Sequence, residues 1–100
     1  MRVLENDWKA LKPALDAWGQ GQRLEPSGER RLLRQKIWAL LDYVFLAFYR
    51  VGRQQKQALD YFIRLEKIIR GELATPDYQA SGTLAVCNYY MGFCYRGLRR

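Results

Sequence analysis

Ser27–Arg50, SGERRLLRQKIWALLDYVFLAFYR, is the stretch whose reading decides the fold. It opens with Glu29, Arg30, Arg31, Arg34 and Lys36, then turns almost wholly apolar, with Asp42 the one strongly polar residue from Ile37 to Tyr49. On a helix at about 100° per residue, Leu33, Ile37, Leu40, Leu41, Val44 and Phe48 form one stripe. Trp38, Phe45, Leu46 and Tyr49 spill onto a second side. A helix apolar nearly all round is covered on more than one side. The expectation is that the second side meets another subunit or protein partner, against the alternative that the domain buries it alone. A membrane span needs about 20 apolar residues; this run is shorter and holds a carboxylate, so no membrane association is expected.

Helical patterns continue on both sides. Leu4, Trp8, Leu11, Leu15 and Trp18 step by four and three, predicting a first helix over 4–18. Pro13 removes a backbone donor inside it, so a kink or two short pieces are expected. Gly19 and Gly21 end it, and the link 19–27 carries no motif. The second helix is expected over 28–51, with Ser27 as N-cap and Gly52 as terminator. The short turn after it implies an antiparallel partner. A third helix over 53–70 places Ala58, Phe62, Leu65 and Ile69 in the core. Its opposite side carries Arg53, Lys56, Arg64, Lys67 and Arg70, with Asp60 among them. Thr75-Pro76-Asp77 reads as the start of a fourth helix: a cap, a proline at the first position and a carboxylate at the positive end of the dipole. Ala80, Leu84, Cys87, Met91, Cys94 and Leu98 give its core face, and Gly92 marks an expected close helix–helix approach. No strand pattern is left over. The fold expected is all-α, one antiparallel four-helix bundle over residues 1–100.

Composition narrows the function classes. The 100 residues hold 17 Lys and Arg against 10 Asp and Glu, a net charge of +7, which favours acidic partners and nucleic acid first. A 49% hydrophobic share argues for a folded chain rather than a disordered tail. There is no histidine and no Cys-x-x-Cys, which argues against a zinc site and against Ser–His or Cys–His catalysis. Cys87 and Cys94, about 10 Å apart on one helical face, lie beyond disulfide reach. Free thiols, with no leader-like apolar segment after Met1, point to the cytoplasm. Asp42, flanked by apolar residues, is expected to pair with an arginine or accept a hydrogen bond from a tyrosine.

Three family resemblances follow from short motifs. Leu33-Arg34-Gln35-Lys36-Ile37 with Leu41-Asp42 and Arg50 resembles the first helix of all-helical chorismate mutases, but no partner residues appear downstream, and no enzyme and no cofactor are expected. Tyr90-Met91-Gly92-Phe93-Cys94-Tyr95, with Trp38-x-x-Leu41 and Ala58-x-x-x-Phe62, resembles a tetratricopeptide repeat. That likeness implies a protein-interaction module, a chaperone or adaptor, whose groove of Tyr43, Tyr89, Tyr90 and Tyr95 would hold a partner helix or peptide. The third covers more of the chain. Pro26-x-x-Glu29-Arg30-x-x-Leu33 with Lys36-Ile37, then Leu41-Asp42, Ala47 and Tyr49, then Leu59, Leu65 and Arg70, and finally Thr75-Pro76, Tyr78 and Met91-Gly92, resembles a group of small four-helix proteins. These are encoded in ribosomal-RNA intervening sequences, and their relatives are the accessory variability proteins of diversity-generating retroelements. Phe93-Cys94 stands where that group has a Gly-Trp end. The likeness implies a basic homo-oligomer, in the retroelement proteins a ring of five bundles, that binds nucleic acid together with a reverse transcriptase.

The residue reading and this resemblance converge on a non-enzymatic nucleic-acid-binding accessory protein, with RNA placed ahead of DNA. Arg30, Arg31, Arg34, Arg53, Lys56, Arg64, Lys67 and Arg70 are the expected phosphate contacts. Trp38, Phe45, Leu46 and Tyr49 are the expected oligomer or partner surface.

Overall fold

Trp8 shows how the first helix is held. Its indole is 6% exposed and stands edge-on to Tyr61, with centroids 4.9 Å apart, and to Phe48 at 5.6 Å, with Tyr43 at 5.8 Å. Three elements therefore meet on one side chain. The computed structural model describes residues 2–24, 26–73 and 80–99, and within them α1 spans Arg2–Gly19, α2 Arg31–Val44, α3 Gln55–Ile68 and α4 Ser81–Leu98. The side chains of Leu4 and Ser27, and with the latter its capping role, and the Thr75-Pro76-Asp77 helix start lie outside what the structure describes.

The result is an all-α antiparallel four-helix bundle. Helix α1 packs on α2 and α3, and α4 packs on α3 and α2. Ring contacts set the directions. Asp42 and Phe45 meet Tyr90, and Tyr49 meets Phe93, so α2 and α4 run parallel. Gln55 faces Gly97 while Phe62 faces Tyr90, so α3 and α4 run antiparallel. Leu33, Ile37, Leu40, Leu41 and Val44 are all buried, as the α2 stripe requires. On α3 and the π-helical turn Ile69–Leu73 that follows it the buried set is wider than expected, with Leu59, Tyr61 and Ile68 joining Ala58, Phe62, Leu65 and Ile69.

Three features depart from the sequence pattern. First, α1 runs unbroken through Pro13. Pro13 is exposed, as is Lys9 four residues earlier, so the carbonyl left without a donor lies on the solvent side, where water replaces the lost bond. Second, α2 does not stay α-helical to its end. Phe45–Val51 is a wider π-helical turn, as are Pro26–Arg30 before it and Ile69–Leu73 after α3. Extra residues per turn let Phe45, Phe48 and Tyr49 all be half-buried, since the aromatic ring of faces is spread against both α1 and α4. Third, α4 presents Thr83, Cys87 and Cys94 to the core. Leu84 and Met91 only flank it, and Leu98 is 46% exposed. Tyr90 turns the helix this way, because its ring packs on Phe45 and Phe62 while its hydroxyl reaches Asp42.

Glycines record where backbones approach. Gly92, expected at a close contact, faces open space, with nothing within 4 Å of an added Cβ. The close approach is at Gly97, where a Cβ would stand 3.1 Å from Gln55 Cγ and 3.4 Å from Tyr49 Cε2. At Gly52 a Cβ would lie 2.5 Å from the Ala47 carbonyl oxygen, which accepts the Gly52 N–H at 2.9 Å. Gly52 thus closes α2, but the left-handed residue of the turn is Arg53, at φ 53°.

Replacing Gly92 with Ala fills open space and removes a mid-helix glycine. It should raise stability by about 0.5–1 kcal/mol in urea unfolding. Gly52→Ala pushes a methyl into backbone and should lower stability by about 1–3 kcal/mol.

Candidate nucleic-acid interface

The basic residues divide into two groups, one at each end of the sequence interval that holds them. Arg30, from the π-helical turn, and Arg31 and Arg34, from the first turns of α2, line one hollow together with Gln35. No carboxylate lines it among the described residues. Arg34 is fixed there by donating from Nη2 to the Leu73 carbonyl at 3.3 Å, which ties the start of α2 to the π-helical turn after α3. The Arg30 Nε is buried with no hydrogen-bond partner among the described residues.

The second group follows α3. Arg53 and Lys56 line a hollow that also includes Asp60. Asp60 in turn borders a second hollow, lined by Trp18, Ile63, Arg64 and Lys67. Trp18 and Lys67 border a third, completed by Gly21, Gln22, Arg23 and Gly71. Shared walls make these one furrow from Arg53 to Gly71, about 25 Å long at 1.5 Å per residue. Among the described residues, five cations line it, Arg23, Arg53, Lys56, Arg64 and Lys67, together with the carboxylate of Asp60.

Arg64 is the most tightly positioned of them. Its Nη1 donates to Asp16 Oδ1 at 3.2 Å, and its guanidinium stands 5.5 Å from the Tyr61 centroid. It also lies against Gly19, where a Cβ would come within 3.1 Å of Cζ and Nε. The Asp16 carboxylate is shared with Lys12 Nζ at 2.9 Å. Arg70, the last of the expected contacts, is held by Glu66 at 3.4 Å on the exposed side of the helix and lines none of the three hollows.

The apolar side chains expected at a partner surface are distributed differently. Trp38 stays open, 53% exposed, over Gly82. Phe45 stacks on Tyr90 at 4.4 Å and on Tyr49 at 4.9 Å, so α4 takes up much of this surface within the chain. Leu46 is half-buried. Phe45, Tyr49, Tyr89, Tyr90 and Phe93 line an open hollow rimmed by Arg50, and Tyr89 is 64% exposed there. Phe45 and Tyr49 of one set singled out in the sequence thus share an aromatic surface with Tyr89 and Tyr90 of the other. Tyr43 is drawn to the other side, against Trp8, and Tyr95 is exposed.

The titratable groups of the core are held neutral. Burial pushes the Cys87 thiol from the ordinary 9.0 to about 12 and Cys94 to about 11. Both are free thiols, and the Cys87 S–H donates to the Phe62 carbonyl at 3.4 Å. Burial, then the hydrogen bond its hydroxyl donates to Asp42, pushes Tyr90 from 10.0 to about 12. Asp42 itself is exposed, so the carboxylate that stands out in the sequence is a surface acceptor for a tyrosine and not a buried acid. Among the described residues no three His, Cys, Asp or Glu side chains group to hold a metal ion, and no helix is long and apolar enough to cross a membrane. The chain matches no protein-family model, no curated protein and no solved structure.

Two outcomes follow from the buried titratable groups. A thiol held protonated is a poor nucleophile, so both cysteines should resist a disulfide reagent in the native state and react fully only in denaturant. The second concerns alkaline pH. The unfolded chain loses these protons near pH 9 for the thiols and 10 for Tyr90, while the folded chain keeps them to about 11–12. Stability is therefore fully present below pH 9 and falls as pH rises toward 12. Urea midpoints measured from pH 8 to 11 should decline, and less steeply in Tyr90→Phe above pH 10.

Proposed function

We propose that the protein binds nucleic acid, RNA ahead of DNA, through phosphate contacts along the α3 furrow and at the Arg30–Arg31–Arg34 hollow. The observation that carries this reading is the furrow itself. Separate surface cations are common on a solvated helix, but here five of them border adjoining hollows about 25 Å in total length, with Asp60 the carboxylate that lines them among the described residues. A polyanion laid along it would meet Arg53 and Lys56 at one end and Arg64, Lys67 and Arg23 toward the other, and the counterions it releases would drive binding. The arginine hollow adds a second anchor, lined by Arg30, Arg31 and Arg34 with no carboxylate among the described residues. Backbone contacts of this kind fix position and carry little sequence information. The role is therefore non-enzymatic and accessory. The resemblance to retroelement accessory proteins adds a reverse transcriptase as the machine served, the free thiols Cys87 and Cys94 favour a cytoplasmic setting, and the exposed Trp38 is left for a second subunit.

The aromatic hollow of Phe45, Tyr49, Tyr89, Tyr90 and Phe93 favours a second reading, a module that holds a partner helix or peptide. Salt separates the two. With about four phosphates neutralised on a single strand, log K for oligonucleotide should fall with log salt at a slope of about −3. Binding that holds steady between 50 and 300 mM salt would favour the apolar groove and contradict the furrow.

Arg53 gives a sharper substitution. Its left-handed backbone suits glycine, so Arg53→Gly should raise stability by up to about 1 kcal/mol while weakening binding on every oligonucleotide sequence to a similar extent. A variant that is both more stable and equally tight would remove Arg53 from the interface.

A further inference from the structure

Helix α2 keeps one stripe clear of its neighbours. Its exposed residues are Arg31, Gln35, Trp38 and Asp42. At 100° per residue they fall within about 60° of arc, on a line about 17 Å long. Trp38 is 53% exposed and stands outside the set of side chains packed on the core. Gly82, at the start of α4, leaves the indole room, since an added Cβ would lie 3.5 Å from Cζ2. Arg31, Gln35 and Trp38 make no hydrogen bond, ion pair or ring contact among the described residues. Asp42 accepts the Tyr90 hydroxyl at Oδ1, and no cation pairs with it among the described residues.

The order along the stripe is cation, amide, indole, carboxylate, at steps of four, three and four. That spacing reads the same from either end, whereas the charge reverses. A second α2 laid antiparallel on the first therefore sets Arg31 opposite Asp42 of the partner subunit, and Trp38 opposite Gln35 of the partner subunit, twice over. A copy laid parallel and in register would set like charge on like at both ends, which is unfavourable. We propose that this stripe pairs with the same stripe on a second copy of the chain, antiparallel about a twofold axis between Gln35 and Trp38. This deepens the second-subunit part of the reading above and does not depend on its nucleic-acid part. Trp38 supplies the apolar anchor, a residue type that dominates interface energetics. The exposed ion pairs add little affinity and fix direction and register instead. A contact this short belongs with weak, transient interfaces, and a self-complementary patch closes at two copies. None of the four residues lines the α3 furrow, which stays clear. Arg31 and Gln35 do line the arginine hollow, so pairing leaves Arg30 and Arg34 as its phosphate contacts.

The test is sedimentation equilibrium of the full chain at low salt, without nucleic acid, from about 10 µM to about 1 mM. A reversible monomer–dimer equilibrium is expected. Trp38→Ala should weaken it about tenfold or more. Asp42→Asn, which keeps an acceptor for Tyr90, should weaken it about 2- to 30-fold, the range for two surface ion pairs. The reversals Arg31→Glu and Asp42→Lys should each weaken it further. An equal mixture of those two variant chains should restore association, because a mixed pair carries opposite charges at both ends of the contact. If circular dichroism shows that Asp42→Lys does not fold, Trp38→Ala and Asp42→Asn decide alone. A larger assembly, or a dimer that none of these substitutions weakens, would overturn the pairing and leave a second subunit on another surface. A chain that stays monomeric throughout would overturn the pairing and the second subunit together.

Discussion

The constraint on which the structure depends is that α2 is apolar on more sides than one neighbour can cover. Leu33, Ile37, Leu40, Leu41 and Val44 are fully buried, and that takes α1, α3 and α4 together. At roughly 1.5–3 kcal/mol for each large side chain buried, these five side chains, with the buried set of α3 packed beside them, supply a large part of the drive for collapse. The π-helical turn at Phe45–Val51 extends the same logic. By widening the helix, it sets Phe48 toward Trp8 and Tyr61 on one flank and Phe45 and Tyr49 toward Tyr90 and Phe93 on the other. Both outer helices are thereby held by aromatic contacts from one turn of backbone.

Placing α2 at the centre decides what is left for function. Helix α3 must bury Ala58, Phe62, Leu65 and Ile69 against α2 and α4, so Lys56, Arg64 and Lys67 turn outward. The C-terminal end of α1 lies beside that outward face, and this turns a charged stripe into a walled furrow. Asp16, Gly19 and Trp18 are three neighbours at one helix end, and each acts on Arg64 or stands beside it. A stripe on an isolated helix has no such walls. The difference matters physically, because a concave charged surface focuses the potential that a flat one disperses.

Much of the fold was legible because its signal is local. Leucine, isoleucine and valine at three- and four-residue steps identify α2 and its buried face, and the same steps locate α1 and α3. On α4 the pattern identifies Cys87 and Cys94 as core residues but not Thr83, and it places Leu84, Met91 and Leu98 too deep, for a reason of the same kind. Tyrosine, cysteine and glycine on both sides of that helix give a weak periodicity, and Tyr90 fixes the rotation through contacts with Asp42, Phe45 and Phe62 that lie far away in sequence. Gly92 and Gly97 look alike in the sequence, yet only Gly97 meets a neighbour. The cations of the interface could be named from the sequence, whereas their walls could not. Trp18 reads there as the last step of a core stripe, and its position beside Lys67 exists only once α1 and α3 are packed.

The central claim, that the α3 furrow is a binding surface and not a solvated face, is tested most directly by amide and tryptophan side-chain NMR shifts during titration with a single-stranded RNA oligonucleotide. The account predicts perturbation concentrated on the backbone from Arg53 to Gly71, on the Gly19–Arg23 turn and on the Trp18 indole N–H, with the Tyr89–Phe93 segment little changed. Shifts confined to Tyr89, Phe93 and the Phe45–Val51 turn, with the Trp18 resonance unmoved, would contradict it.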